Sequence, residues 1–336
     1  MRAAIMQSPH KCEVGAWDTP RPGAGEVLVS VAATGVCAGD MYVYLGKNPY
    51  VIYPQVCGHE IAGTVAAVGE GVTGLAEGAA VVVEPFLGCG TCYPCRIGKS
   101  NCCANLRIIG MHVPGGFAEY LTAPATNVYR VPVGLSPTMA SFTEPVAIAV
   151  QNCRRGQVVA GENVLILGCG PIGLALIEVV KARGAHPIAT DVLPHRLEVA
   201  RQLGAETLAT GDDLVDRVLG RTNGEGMPVV IEATGNVKAM EQTVHLVAAG
   251  GRIVIVGLVK QGLGVTFPGL DFTRKELTIV GSRASVGCFP ESLDLLASGK
   301  ITYPKLATEF SLWDAPSVFA DLAKEPGKVH KAVFVR

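Results

Sequence analysis

The chain has no excess of charge of either sign: 28 basic against 29 acidic residues leave a formal −1, and only 17% of its 336 residues are charged. That lack excludes the electrostatic footprint a nucleic acid or an anionic membrane surface would need. Long hydrophobic runs are missing too. Mean hydropathy is high, at +0.35, yet no stretch approaches ~18 uninterrupted apolar residues, so no membrane-spanning helix is expected. The opening MRAAIMQSPHKCEV turns polar after Met6, too early for a secretory signal. There is no internal repeat and no low-complexity segment. What the chain does have is cysteine, 11 in all. Without an export signal these point to a reducing, cytoplasmic setting, where clustered thiols are metal ligands more often than disulfides.

Two textures divide the sequence. From residue 1 to about 149, short β-rich runs such as EVLVSVAATG and GAAVVVEPF alternate with Gly and Pro, predicting a compact, largely antiparallel domain. From about residue 150 the rhythm becomes strand–helix–strand. NVLIL, PIATD, PVVIEAT, GRIVIVGL and ELTIVGS read as strands, with PIGLALIEVVKARG, LPHRLEVARQLG and VKAMEQTVHLVAAG as helices. Such alternation implies an α/β fold whose parallel sheet is covered on both faces. The last fifty-odd residues are too few for a domain of their own and are expected to fold back onto the first.

Gly168-Cys-Gly170-Pro171-Ile172-Gly173 follows the strand NVLIL and opens a helix. In that context the glycines permit a tight turn, approach of a pyrophosphate to the backbone, and close helix–strand packing. Free N–H groups at the helix start then face the phosphates. Asp191 ends the next strand, 18 residues after Gly173, where a carboxylate binds ribose hydroxyls. Val192 rather than Arg follows it, which favours NAD over NADP. Arg196 is a further candidate for cofactor binding.

Cys89, Cys92, Cys95 and Cys103 have C-x2-C-x2-C-x7-C spacing, suited to a closed, structural tetrahedral zinc. Cys102 competes with Cys103 for the fourth place. A second set of ligand types is dispersed: Cys37 in GVCAGD, His59-Glu60 in CGHE, and Glu144 in FTEPVAIA. A Cys, a His and a carboxylate leave zinc an open position, as catalytic sites do. The residues taken singly also fit a small core cysteine, a turn histidine and a helix-start carboxylate.

These motifs resemble those of the zinc-dependent medium-chain alcohol/polyol dehydrogenases over essentially the whole chain. GVCAGD, the GHE turn with GTVAAVGEGV, the four-cysteine lobe, GGFAEY, the Glu144-Pro145 pair and GCGPIG with Asp191 carry the resemblance. It implies a GroES-like catalytic domain (1–149 and 285–336) and a Rossmann NAD-binding domain (150–284). It also implies two zinc ions per chain, NAD, and a homodimer or homotetramer. Cys37 and His59 would ligate the catalytic zinc, and Asp40 would accept the other ring N–H of His59. Glu60 and Glu144 match the two acidic positions of the sorbitol-dehydrogenase-like branch, with the actual ligand left open between them. Position 39 is Gly where many relatives carry the Ser or Thr of a proton relay. A water held by Glu60 or Glu144, or a hydroxyl from Tyr42 or Tyr44, would have to replace it.

Within that family, NCC at 101–103, GMHVPGGFAEY, EPVAIAVQNCRR and VGSRAS resemble sugar-acid dehydrogenases of the L-galactonate/L-gulonate 5-dehydrogenase type. The expected reaction is hydride transfer from a secondary hydroxyl of a polyol or sugar acid to NAD. Arg283 is the candidate partner for a substrate carboxylate, with Arg154 and Arg155 as alternatives. Butanediol and threonine are the competing substrates, and a non-catalytic zinc/NAD redox sensor is the competing class.

Overall fold

The alternation in EVLVSVAATG forms the strand Glu26–Gly35, in which every second side chain is buried up to Ala33. Around it is built a seven-stranded sheet. Glu60–Val68 pairs antiparallel along one side. On the other side Tyr120–Pro124 covers its first half and the C-terminal strand Lys331–Val335 its last residues. Ala80–Val83 and Val128–Arg130 extend the sheet one way, and Ala307–Ser311 the other. Val27, Val29, Val65, Val81 and Val83 fill one core. Tyr44, Phe117, Phe319 and Phe334 stack into a second. This unit comprises Met1–Glu144, Phe289–Ser298 and Pro304–Arg336. In this computed structural model all residues are described except Pro326 and Lys328.

The second unit is Pro145–Cys288 with Gly299–Tyr303. Asn163–Leu167 is apolar because it lies mid-sheet, with Val164, Leu165 and Ile166 fully buried. The sheet is parallel throughout, in the order Glu206–Ala209, His186–Asp191, Asn163–Leu167, Met227–Glu232, Val247–Ile255, Thr278–Gly281. That is the doubly wound order, which puts the crevice for a nucleotide beyond the C-terminal ends of the central strands. Glu178, buried on the helix Pro171–Ala182, accepts hydrogen bonds from Thr302 N and Oγ1 and from Tyr303 N at 2.5–2.9 Å. It thereby fastens the short C-terminal segment to this unit.

Three details depart from the sequence reading. The helix beginning at Val237 ends at Leu246, and VAAG is drawn into the strand Val247–Ile255. That strand is interior, and the sheet edge on this side is Thr278–Gly281. The strand Glu206–Ala209 and the helix Leu214–Arg221 were not anticipated. Among the described residues no helix is long and apolar enough to cross a membrane.

Candidate active site

Cys37 caps the seven-residue helix Ala38–Tyr44. Its backbone N–H donates to Asp40 Oδ2 at 2.8 Å, and its sulfur accepts from Gly39 N at 3.4 Å. The reciprocal cap fixes the thiol at the helix start. Asp40 is fully buried, and its Oδ1 also accepts from Gly58 N at 3.2 Å, which ties the helix to the turn before His59. His59 Nδ1 lies 3.7 Å from the same oxygen, within ion-pair reach but beyond a hydrogen bond.

Glu60 opens the strand Glu60–Val68 directly opposite Gly35. A Cβ on residue 35 would come within 1.9 Å of Glu60 Oε2, so glycine is what gives the carboxylate its room. Donor atoms of Cys37, His59 and Glu60 all lie within 4.8 Å of one another. His59 Nδ1 and Glu60 Oε2 are buried without hydrogen-bond partners. Buried polar atoms left this way are costly, and a soft–borderline–hard set of S, N and O donors around one point fits zinc.

Glu144, at the start of the helix Thr143–Arg155, is 3% exposed but lies outside that three-residue set. Burial pushes its carboxyl up to about 7, against the pull of His59; Glu60 adds to the rise. His59 shows the opposite balance. Burial disfavours its cation, yet Asp40, Cys37 and Glu144 together hold the imidazole well above its ordinary value. Of the two tyrosines considered for proton relay, Tyr44 is stacked on Phe319 in the core, and Tyr42 is 55% exposed.

Sequence reasoning missed Lys331. It is buried on the last strand and pairs with Glu60 Oε1. The available signal was a lone lysine heading KAVFV, a strand whose first four positions are all buried.

The four-cysteine loop closes on itself. The sulfurs of Cys89, Cys92, Cys95 and Cys103 lie within 4.8 Å of one another, while Cys102 is exposed and outside the set. Cys103 is buried and its sulfur accepts from Cys89 N at 3.2 Å and Asn105 N at 3.3 Å. Hydrogen bonds, first from the Thr91 hydroxyl and then from backbone N–H groups, bring Cys89 down to about 5. Burial pushes Cys95 up to about 12. No disulfide joins any of the cysteines among the described residues.

In the second unit, a Cβ on Gly173 would fall 1.9 Å from Gly168 O, so the helix can pack against the turn only with glycine there. Gly170 has open space before it, Pro171 is the first helical residue, and Ile172 follows half-buried. Asp191 is 7% exposed; its Oδ2 accepts from Cys169 N at 2.8 Å and its Oδ1 from Leu193 N at 2.9 Å. Arg196 stands 3.7 Å from Oδ2. Gly168, Gly170, Asp191, Val192 and Arg196 line one side of a cavity of about 1060 Å³ that reaches Lys238 and His245. Arg154 and Arg155 spend hydrogen bonds on the carbonyls of Gly287 and Gly281, both at 3.0 Å. Arg283 is exposed on the loop between those carbonyls.

A zinc-binding, GroES-like unit joined to a doubly wound nucleotide-binding unit defines a dehydrogenase class, and the comparisons agree. The alcohol dehydrogenase GroES-like domain matches residues 23–133, and the zinc-binding dehydrogenase domain matches 171–298. The chain is 37% identical to L-galactonate-5-dehydrogenase of Escherichia coli K12 over 311 residues, covering 92% of this chain and 91% of that one. It is 36% identical to L-threonine 3-dehydrogenase of Pyrococcus abyssi over 343 residues, covering 99% and 98%. A zinc-binding dehydrogenase of Sinorhizobium meliloti 1021, solved bound to NADP, superposes with TM-score 0.91 at 32% identity, covering 100% of this chain and 99% of that one. The chain belongs to the zinc-dependent medium-chain alcohol/polyol dehydrogenases, and it is an oxidoreductase with sugar-acid dehydrogenases among its relatives.

Proposed function

We propose that the protein oxidises a secondary hydroxyl of a polyol or sugar acid, of the L-galactonate or L-gulonate type, with NAD as acceptor. The observation that carries the reading is the convergence of donor atoms of Cys37, His59 and Glu60 within 4.8 Å of one another, with Glu60 Oε2 buried and unsatisfied. A bound zinc would supply Lewis acidity to the hydroxyl oxygen and NAD the hydride acceptor. Cys37, His59 and Glu60 hold the metal in this reading, and Asp40 orients the His59 ring. Glu144, buried among the charges of His59 and Glu60, takes the hydroxyl proton that Gly39 has no side chain to accept.

Cys89, Cys92, Cys95 and Cys103 hold a second, structural zinc. The cradle of Gly168, Gly170 and Gly173, with Pro171 and Ile172 at the helix start, receives the pyrophosphate. Asp191 receives the adenosine ribose, and its carboxylate would repel a 2′-phosphate, so NAD is preferred to NADP. Arg283 is the proposed partner of a substrate carboxylate. The edge strand Thr278–Gly281 leaves backbone groups for a second copy, which supports a homodimer or a tetramer built from it. Eleven cysteines, none in a disulfide, suit a cytoplasmic location.

The test is NADH formation with aldonates, hexitols, pentitols, butanediol and threonine. An aldonate turned over with the highest kcat/KM is the expected result. Silence from every aldonate, with turnover of threonine or butanediol, would remove the sugar-acid reading.

A further inference from the structure

Residue 39 lies in the helical turn that Cys37 caps, and its N–H donates to the Cys37 sulfur. A Cβ there would sit 3.8 Å from His59 Cε1 and 3.9 Å from Cys37 Sγ, and only 2.7 Å from the terminal methyl of Met111. The position bordered by two donor residues is therefore already met by a thioether methyl. Met111 is held there by its backbone. Its N–H donates to Ile108 O at 3.1 Å, and its carbonyl accepts from Gln55 Nε2 at 2.7 Å. Gln55 is itself buried, with its Oε1 taken by Val56 N. Ile109, two residues before Met111, is anchored in the core of the seven-stranded sheet. Met111 itself is half-buried.

We propose that Met111 determines specificity at the alcohol site. Its methyl forms an apolar wall beside Cys37 and His59, and one carbon substituent of the reacting carbinol packs against that wall. Gly39 and Met111 act as a unit, because only glycine at 39 leaves the methyl where it is. A hydroxylated or charged substituent would lose hydration on this side without a partner, so the polar end of a substrate is directed the other way. The thioether is unbranched and polarizable, which suits a wall that must accept more than one shape. The inference rests on membership of the alcohol/polyol dehydrogenase family and not on the sugar-acid reading.

The test uses zinc-loaded enzyme labelled with 13C on its seven methionine methyls. Met111→Leu, which keeps the bulk of the side chain, assigns the resonance. With NADH bound to block turnover, saturation with any secondary alcohol the enzyme oxidises is expected to shift the Met111 methyl. An unmoved methyl would overturn the proposal.

Kinetics supply a second arm, on two alcohols that differ by one methylene next to the carbinol. Met111→Ala is expected to change their kcat/KM ratio by about tenfold, the scale of one methylene in an apolar pocket, and Met111→Leu to change it far less. Gly39→Ala displaces the methyl, so it should alter the ratio in the otherwise native enzyme but not in the Met111→Ala background. A uniform fall for both alcohols, or equal effects of Gly39→Ala in both backgrounds, would reduce Met111 to a packing residue. Since any oxidised pair serves, failure on aldonates alone leaves this result interpretable.

Discussion

Lys331 and Glu60 form an ion pair across 271 residues of chain, with each side chain only 2% exposed. Neither charge is screened by water, so each depends on the other. The pair uses Glu60 Oε1 and leaves Oε2 without a hydrogen bond. Glu60 thus stands between a cation the protein supplies and a donor set suited to a metal cation.

Lys331→Met removes the first of these. Breaking a buried pair on one side costs about 3–5 kcal/mol, because the remaining charge is stranded. Urea denaturation of metal-stripped enzyme should show a loss of that order, and zinc-loaded enzyme a smaller one, since Glu60 then has the metal. Equal losses in both forms would deny Glu60 a share in metal binding.

Zinc content separates the adjacent cysteines. Cys103→Ser should lower the metal found per chain from two to one, with a fall in Tm, while Cys102→Ser should change neither. Elemental analysis after gel filtration decides the point. Loss of metal from the Cys102 variant would reverse the assignment.

Asp191 is held by Cys169 N and Leu193 N, so it shapes the glycine turn as well as facing the cavity. Asp191→Asn keeps the shape and removes the charge. Its KM for NAD should rise about tenfold, the scale of a lost charge-assisted hydrogen bond, and NADP should become the better relative substrate. An unchanged NAD/NADP ratio would place cofactor choice elsewhere.

Cysteine reactivity follows burial. Cys12 and Cys169 are pushed up to about 12, chiefly by burial, with Glu13 and Asp191 respectively adding to it. Both are therefore thiols at pH 8 and should resist alkylation there, whereas in zinc-loaded enzyme, with the exposed Cys89 held as a metal ligand, exposed Cys102 should react first, as peptide mapping would show. The linkage has a definite sign. An ionisation raised in the folded state contributes stability that is full below about pH 9, the ordinary thiol value, and fades as pH climbs towards 12.

Periodicity and glycine placement made the central strands and the nucleotide turn legible, because apolar runs such as NVLIL have few structural uses. The strand Glu206–Ala209 is hard to see in the sequence, being four residues long with only Leu208 buried. The alanines of VAAG favour a helix locally, but the helix stops at Leu246 and Val247 pairs with Met227 in the sheet. The choice between Cys102 and Cys103 depended on which thiol points inward, which spacing does not encode. Lys331 was illegible for a similar reason: its partner is set by strand pairing at the far end of the chain. Glu60 and Glu144 could be named as acids of one site, but only the geometry brings Glu60 within the donor set and leaves Glu144 outside it.

The strand Lys331–Val335 seals the sheet against Gly35, next to the cysteine that caps the first helix. During synthesis residues 145–288, most of the nucleotide unit, emerge as one uninterrupted stretch well before this strand does. The unit that carries Cys37 and His59 must wait, its first residues made early and this strand much later. Cys37, His59 and Glu60 are therefore made long before Lys331, and the buried pair with Glu60 forms only after residue 331 has emerged from the ribosome.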